Sequence, residues 1–256
     1  MKRLTRFKIG EEIFWGELDL ASGEIFFVNG SVYEEWERGE FAAKLDAITL
    51  LPPCDPKNVV GLAFNYKDLV GFKDSYEEPL LFLKSTNTVV TSSQPIIIPK
   101  DSIKTWVEVE IAIVIKKPLF NASFEDAEKS ILGITIANDV TTQNIANRDH
   151  HLALSKSQPN FCPIGDYITT DIDTSNLTMN TRINGVTTQE SSSKHRILNE
   201  IESLVLISRY IPLFPGDVVL TGTPAGAMNS LVSPNDSVIL TIEGLGKLSN
   251  RVVKGQ

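Results

Sequence analysis

Cysteine is nearly absent from this chain. Cys54 and Cys162 are the only two, so there is no disulfide framework and no cysteine-spaced metal cluster, and a reducing cytosol fits. Basic charge is short as well. The 24 Lys and Arg stand against 32 Asp and Glu, a net charge of −8, which argues against broad nucleic-acid binding through a basic surface. The deficit leaves anionic small molecules open, because a metal ion and a few lysines reverse the field locally. Histidine is scarce: His150, His151 and His195 are all there is. No apolar run is long enough to span a bilayer, and the N-terminal MKRLTRFKIGEEIFW has no apolar stretch behind its basic residues. Internal repeats and low-complexity tracts are missing too. The expectation is a cytoplasmic protein with neither nucleic acid nor membrane as partner.

What the chain does have is organised around 104–117, KTWVEVEIAIVIKK. At the strand period of two, one face carries Val107, Val109, Ile111, Ile113 and Ile115, a β-branched row that predicts burial. The other face carries Trp106, Glu108, Glu110, Ala112 and Val114. Two carboxylates therefore stand side by side, roughly 7 Å apart at strand rise, among mostly apolar neighbours. Buried that close, they must share a proton or bind a cation, and a hard divalent metal suits such oxygens. A solvated face with both glutamates paired to surface lysines fits the strand equally well.

With 42% hydrophobic residues in 256, the chain is long enough for one sizeable domain and a small appendage. Short β-like runs at 4–9, 13–20 and 24–28 predict an antiparallel meander. The acidic stretch 32–45 reads as helical or irregular, and the Pro-rich 48–56 as a linker. This gives a small β-rich N-terminal unit at 1–55 and a main domain at 56–256. Apolar strands are predicted at 59–64, 79–83 and 131–137, and the last delivers Asn138-Asp139. Asp139 is placed to be either a functional carboxylate or the cap of a helix over 141–148. A polar stretch at 67–78 reads as a surface turn or a lid. Ser123 begins a short helix to Ser130, and 197–209 is an amphipathic helix. Asn184-Gly185 within 178–190 is the strongest hairpin signal. A strand at 218–221 runs into Gly222-Thr223-Pro224-Ala225-Gly226. That turn exposes backbone N–H groups suited to a carboxylate or phosphate, without the lysine and spacing of a nucleotide loop. Many strands, few helices and no regular βαβ alternation predict an α+β or mixed-β architecture.

Taken together, Glu108-Val109-Glu110, Asn138-Asp139-Val140-Thr141 and Thr221-Gly222-Thr223-Pro224 fall in a recognisable order. With Gly61–Tyr66, the Glu78–Lys84 run, Lys156-Ser157 and Pro215-Gly216-Asp217, they resemble the fumarylacetoacetate hydrolase family from about residue 57 onward. The nearest likeness is to its isomerases and decarboxylases of 4-hydroxyphenylacetate breakdown, an aromatic catabolic route. The resemblance implies a mixed β-roll catalytic domain, a homodimer, and Mg²⁺ or Mn²⁺ held by Glu108, Glu110 and Asp139. It implies a 2-oxo acid substrate that chelates the metal, with the enolate formed next to the ketone stabilised by the cation. Lys156 matches the family lysine near the metal. Thr223, with Gly222, matches the position that holds the substrate carboxylate, and Tyr66 and Gln143 fall at substrate-binding positions.

Departures from the family pattern shape the expected reaction. Leu69 and Phe72 stand where hydrolytic members carry a lid His and Glu, Gln143 replaces an arginine and Ala146 a glutamine. Without the His/Glu pair no base activates water. The resemblance therefore favours isomerisation or decarboxylation of an unsaturated 2-hydroxy or 2-oxo dicarboxylate over acylpyruvate hydrolysis. Oxaloacetate decarboxylation and a silent, ligand-binding homologue are the alternatives. The histidines read as surface residues, with His150 or His151 replacing the lid base if the fold brings them over the metal.

Overall fold

The computed structural model describes residues 1–69, 78–101, 104–144 and 149–255. Its first strands are β1 (Arg3–Ile9), β2 (Glu12–Asp19), β3 (Glu24–Gly30), β4 (Trp36–Lys44), β5 (Thr49–Leu51), β6 (Val59–Ala63) and β7 (Leu80–Lys84). Strands β1 to β3 form the predicted meander. The stretch expected to be helical or irregular is instead β4, paired with β3 from Glu24–Lys44 to Gly30–Trp36. Its acids Glu37 and Glu40 lie exposed on the sheet edge, so the open hydrogen-bond ladder of β3 outweighs local preference. The expected linker carries β5, with Leu50 opposite Phe7 of β1.

One long sheet runs β4-β3-β2-β1, then Ile168–Thr169, Ile131–Asn138, Val109–Ile115, Val218–Leu220, β6 and β7. Residues 1–55 thus extend the main sheet through β1, while packing a small core around Phe7, Leu18 and Ile25 that Tyr167 also joins. A second sheet contains Val186–Ser192, Thr178–Ile183, Ser237–Ile242, Gly246–Lys254 and Ile96–Ile98. Its first two strands are the predicted hairpin, turning through Asn184 and Gly185 at φ 51° and 83°, as a two-residue turn of this kind requires.

Helix α1 (Phe124–Lys129) is capped by Ser123, whose hydroxyl accepts from the Asp126 amide at 3.1 Å. Helix α2 (Ala153–Lys156) is a single turn, and α3 (Glu200–Ser208) starts at its Asn199 cap. The helix expected over 141–148 is not seen where the chain is described: Thr141–Thr142 is a strand paired with Thr105–Trp106, and residues 145–148 lie outside the described residues. Among the described residues no helix is long and apolar enough to cross a membrane.

The strand predicted over 104–117 is broken at Val107-Glu108 into Thr105–Trp106 and Val109–Ile115. The Val107 amide leaves for Ser230 O and the Glu108 amide for Asn138 Oδ1, so the chain changes sheets there. Val107, Val109, Ile111, Ile113 and Ile115 all enter one core, as their alternation predicts. Ala112 and Val114 enter a second core with Val59, Leu132 and Val218. Buried on both faces, this strand is central to the molecule, and its first residues sit where the chain passes into the long sheet from a short one of Thr141–Thr142, Thr105–Trp106 and Leu231–Val232.

Candidate metal centre

Antiparallel register builds the site. Val109 lies opposite Asn138, so the residues just outside the ladder, Glu108 and Asp139, become neighbours, and the Asp139 amide donates to Glu108 O at 3.0 Å. On the other flank Ala112 pairs with Leu220, which carries the Thr221-Gly222-Thr223 turn alongside Glu110. One ligand oxygen from each of Glu108, Glu110 and Asp139 lies within 4.8 Å of the others. Asp139 is fully buried and Glu110 nearly so. The solvated-face reading of the glutamates and the capping role for Asp139 both fall away.

Around this cluster the partners differ sharply. Asp139 takes two ammonium groups: Lys84, from the end of β7, donates to Oδ1 at 2.5 Å, and Lys156, from α2, donates to Oδ2. Lys84 also donates to Val140 O at 3.1 Å. Lys156 further donates to Glu108 Oε2 at 3.2 Å and Thr141 Oγ1 at 2.6 Å. The Trp106 indole donates to Glu108 Oε1 at 2.6 Å. Glu110 receives the Gly222 amide at 2.7 Å and, among the described residues, no ammonium. Gly222 is required there, since its φ is +89° and an added Cβ would meet Leu62 O at 2.9 Å.

Electrostatics follow from this arrangement. Burial and then the charges of Asp139 and Glu108 push the Glu110 carboxyl well above the usual range. Burial raises Glu108 too, against the pull of Lys156. For Asp139 burial acts upward, but Lys156 and Lys84 outweigh it and hold the carboxyl low. Burial would lower Lys156, yet Asp139 and Glu108 hold its ammonium charged well above the ordinary lysine value. Three carboxylates face two ammonium groups, leaving one buried anion uncompensated at Glu110. An all-oxygen, anionic donor set with a charge deficit is what a hard divalent cation requires, so the residues present fit Mg²⁺ or Mn²⁺.

The cluster opens into a cavity of about 1420 Å³ whose walls include Leu62, Phe82, Leu83, Ile211 and Met228. Thr223 lines it, with its hydroxyl donating to Val109 O at 3.0 Å and accepting from Gln189 Nε2 at 2.9 Å. Gln143, also expected at the substrate, is exposed and does not line the cavity, although its neighbours Thr142 and Asn144 do. Tyr66, expected at the substrate, is a correction. Its ring is fully buried in the core and its hydroxyl meets Met179 Sδ at 3.3 Å. The chain reverses at Phe64, φ 64°, and the Asn65 amide group clamps Thr221 O and Leu198, which aims the next side chain inward. Leu69 lines the cavity, while Phe72, Ala146 and most of the expected lid lie outside the described residues.

Lys84 and Gln189 join the site although the sequence alone assigns neither a role there. A lysine closing the apolar run PLLFLK was the available signal for the first, since a charged end on a buried strand needs a partner. Gln189 gave none.

The profile of the fumarylacetoacetate (FAA) hydrolase C-terminal family matches residues 54–253. The fold is similar to the crystal structure of 2-hydroxyhepta-2,4-diene-1,7-dioate isomerase from Mycobacterium marinum, at TM-score 0.89 and 30% identity over 99% of both chains. The sequence is 29% identical to the oxaloacetate tautomerase YisK of Bacillus subtilis, over 91% of this chain and 84% of that protein. A fumarylpyruvate hydrolase from Pseudomonas aeruginosa, solved with Mn²⁺ and pyruvate, is similar at TM-score 0.72 and 25% identity, over 81% of this chain and 92% of that one.

Proposed function

The chain belongs to the fumarylacetoacetate hydrolase family, and from that premise we propose that it is a divalent-metal-dependent isomerase that shifts a proton next to the ketone of a 2-oxo dicarboxylate. The observation that carries this reading is the trio Glu108, Glu110 and Asp139 with Lys156 set against it at the inner end of an apolar cavity. Relatives named as an isomerase of an unsaturated dioate and as an oxaloacetate tautomerase support it. Both names describe the same elementary step, a proton moved along a ketone–enol system.

A Mg²⁺ or Mn²⁺ ion held by the three carboxylates supplies Lewis acidity toward a 2-oxo acid. The chain supplies the rest. Lys156, kept protonated by its carboxylate neighbours, puts a fixed positive charge beside the place where enolate charge develops. Thr223, buried on the wall beside Glu110, is assigned the substrate carboxylate, its hydroxyl turning its one proton from Val109 O to the ligand, with Gly222 shaping its turn. Leu62 and Phe82 exclude water from the inner cavity. Leu69, where a hydrolase of this family carries a base, offers no group to activate water.

The test is a panel with Mg²⁺ and oxaloacetate, a 2-hydroxydienoate dicarboxylate and an acylpyruvate. Enol absorbance and carbon dioxide release separate isomerisation from decarboxylation. Interconversion of keto and enol forms is the expected result, and fast acylpyruvate cleavage overturns the reading in favour of hydrolysis.

A further inference from the structure

A proton shift needs a side chain that takes the proton and gives it back. Among the described residues the cavity wall offers few. Glu108, Glu110 and Asp139 are the clustered carboxylates, assigned above to the cation. Lys84 and Lys156 are spent on Asp139. Lys57, two residues before β6, stands over the Phe214 ring, 5.4 Å from its centroid. Tyr66 is sealed in the core and Leu69 has no proton to trade. That leaves His150 and His151, both exposed and both on the wall of the same cavity. Imidazole is the side chain suited to proton exchange near neutral pH.

The chain is built to put them there. Asp149 turns inward and accepts from the amides of Leu154 at 3.2 Å and Ser155 at 2.7 Å. Leu152 adopts the left-handed conformation, φ 59°, and its carbonyl accepts from the Lys156 amide at 2.9 Å. The turn delivers Lys156 into the carboxylates while the two preceding imidazoles stay on the open wall. One short segment thus presents a fixed cation and a pair of proton carriers to one cavity.

We propose that the His150–His151 pair is the proton relay of this site, one imidazole removing the proton from C3, the carbon beside the 2-oxo group. This rests on the proton-shift reading above. The C3–H electron pair becomes the C2=C3 π bond and the carbonyl π pair moves onto O2. The imidazolium then gives its proton to O2, yielding the enol and a neutral imidazole. Atoms, charge and electrons balance without an oxidant, and the reverse sequence regenerates the ketone.

The experiment compares wild type with H150Q, H151Q and the double variant, all loaded with Mn²⁺. Turnover is read as oxaloacetate keto–enol conversion and as deuterium uptake at C3 above the buffer rate. Calorimetry with Mn²⁺ and oxalate reports the integrity of the site. Imidazole NMR resonances, followed as oxalate is added with Mg²⁺, report proximity without turnover. Expected are unchanged Mn²⁺ and oxalate affinity, a loss of at least about 100-fold in the double variant, most of it traced to one histidine, and a shift of that imidazole on oxalate binding. Turnover within twofold of wild type in the double variant overturns the relay alone, as do imidazole signals unmoved by oxalate. A wild type that neither interconverts the tautomers nor exchanges C3 protons overturns the functional reading and the relay with it.

Discussion

Of the three clustered carboxylates, Glu110 is the one that the fold, among the described residues, leaves without an ammonium partner, and its side chain faces Asp139 and Glu108. Glu110→Gln removes one of three crowded anions while an amide oxygen can still accept from Gly222. Mn²⁺ titration by calorimetry is expected to show no measurable binding. Thermal melts of the metal-free variant are expected to match or exceed wild type, within about 1 kcal/mol. Wild-type-like Mn²⁺ affinity in the variant would remove Glu110 from the ligand set. Lys84 poses the opposite case, a side chain with no exposure bonded to a buried carboxylate. Lys84→Met leaves Asp139 with Lys156 alone, and breaking a buried pair on one side costs about 3 kcal/mol or more. Urea denaturation of the metal-free proteins measures it, and a change under 1 kcal/mol would show that Lys156 compensates.

At the scale of elements, the turn after Val218–Leu220 is tied to the strand Val109–Ile115 at three successive residues. Thr221 bonds Ile111 O, Gly222 bonds Glu110 and Thr223 bonds Val109 O. Gly222→Ala forces a side chain into a left-handed backbone beside Leu62 O, at about 1–2 kcal/mol. It is expected to lower Mn²⁺ affinity as well, because the amide that orients Glu110 moves. Calorimetry and melts on one preparation separate the two effects. Elements whose signals are local were legible in the sequence: the β1–β3 meander, the Asn184-Gly185 hairpin and the Ser123 cap of α1. Those decided by a distant partner were not. β4 forms because β3 needs an edge, and Thr141–Thr142 is a strand because Thr105–Trp106 lies beside it.

For the whole molecule, a ligand that binds only the folded state adds to its stability. Mn²⁺ at a hundred times its Kd contributes about 2.7 kcal/mol, roughly 5–10 °C in Tm for a chain of this size, and EDTA is expected to reverse the gain. The other global expectation is the homodimer. β7 closes one end of the long sheet, and its exposed Leu80 and Leu83 also line the cavity, so a second chain covering this edge would border the site. Light scattering is expected to give twice the mass of one chain, and Leu83→Lys to shift the protein toward monomer. A wild-type monomer across the micromolar range would count against it.

The sequence by itself determined which groups are chemically special: a pair of glutamates on a β-branched strand, an aspartate at a strand end and a Gly-Thr-Pro turn. These are short-range patterns, set by the two-residue period of a strand and by turn chemistry. Only the tertiary structure decided what those groups meet. Antiparallel register set Asp139 against Glu108, β7 brought Lys84 to its other oxygen, and the reversal at Phe64 turned Tyr66 away. Charge environment and burial arise from contacts between residues far apart in the chain, and local periodicity carries no record of them.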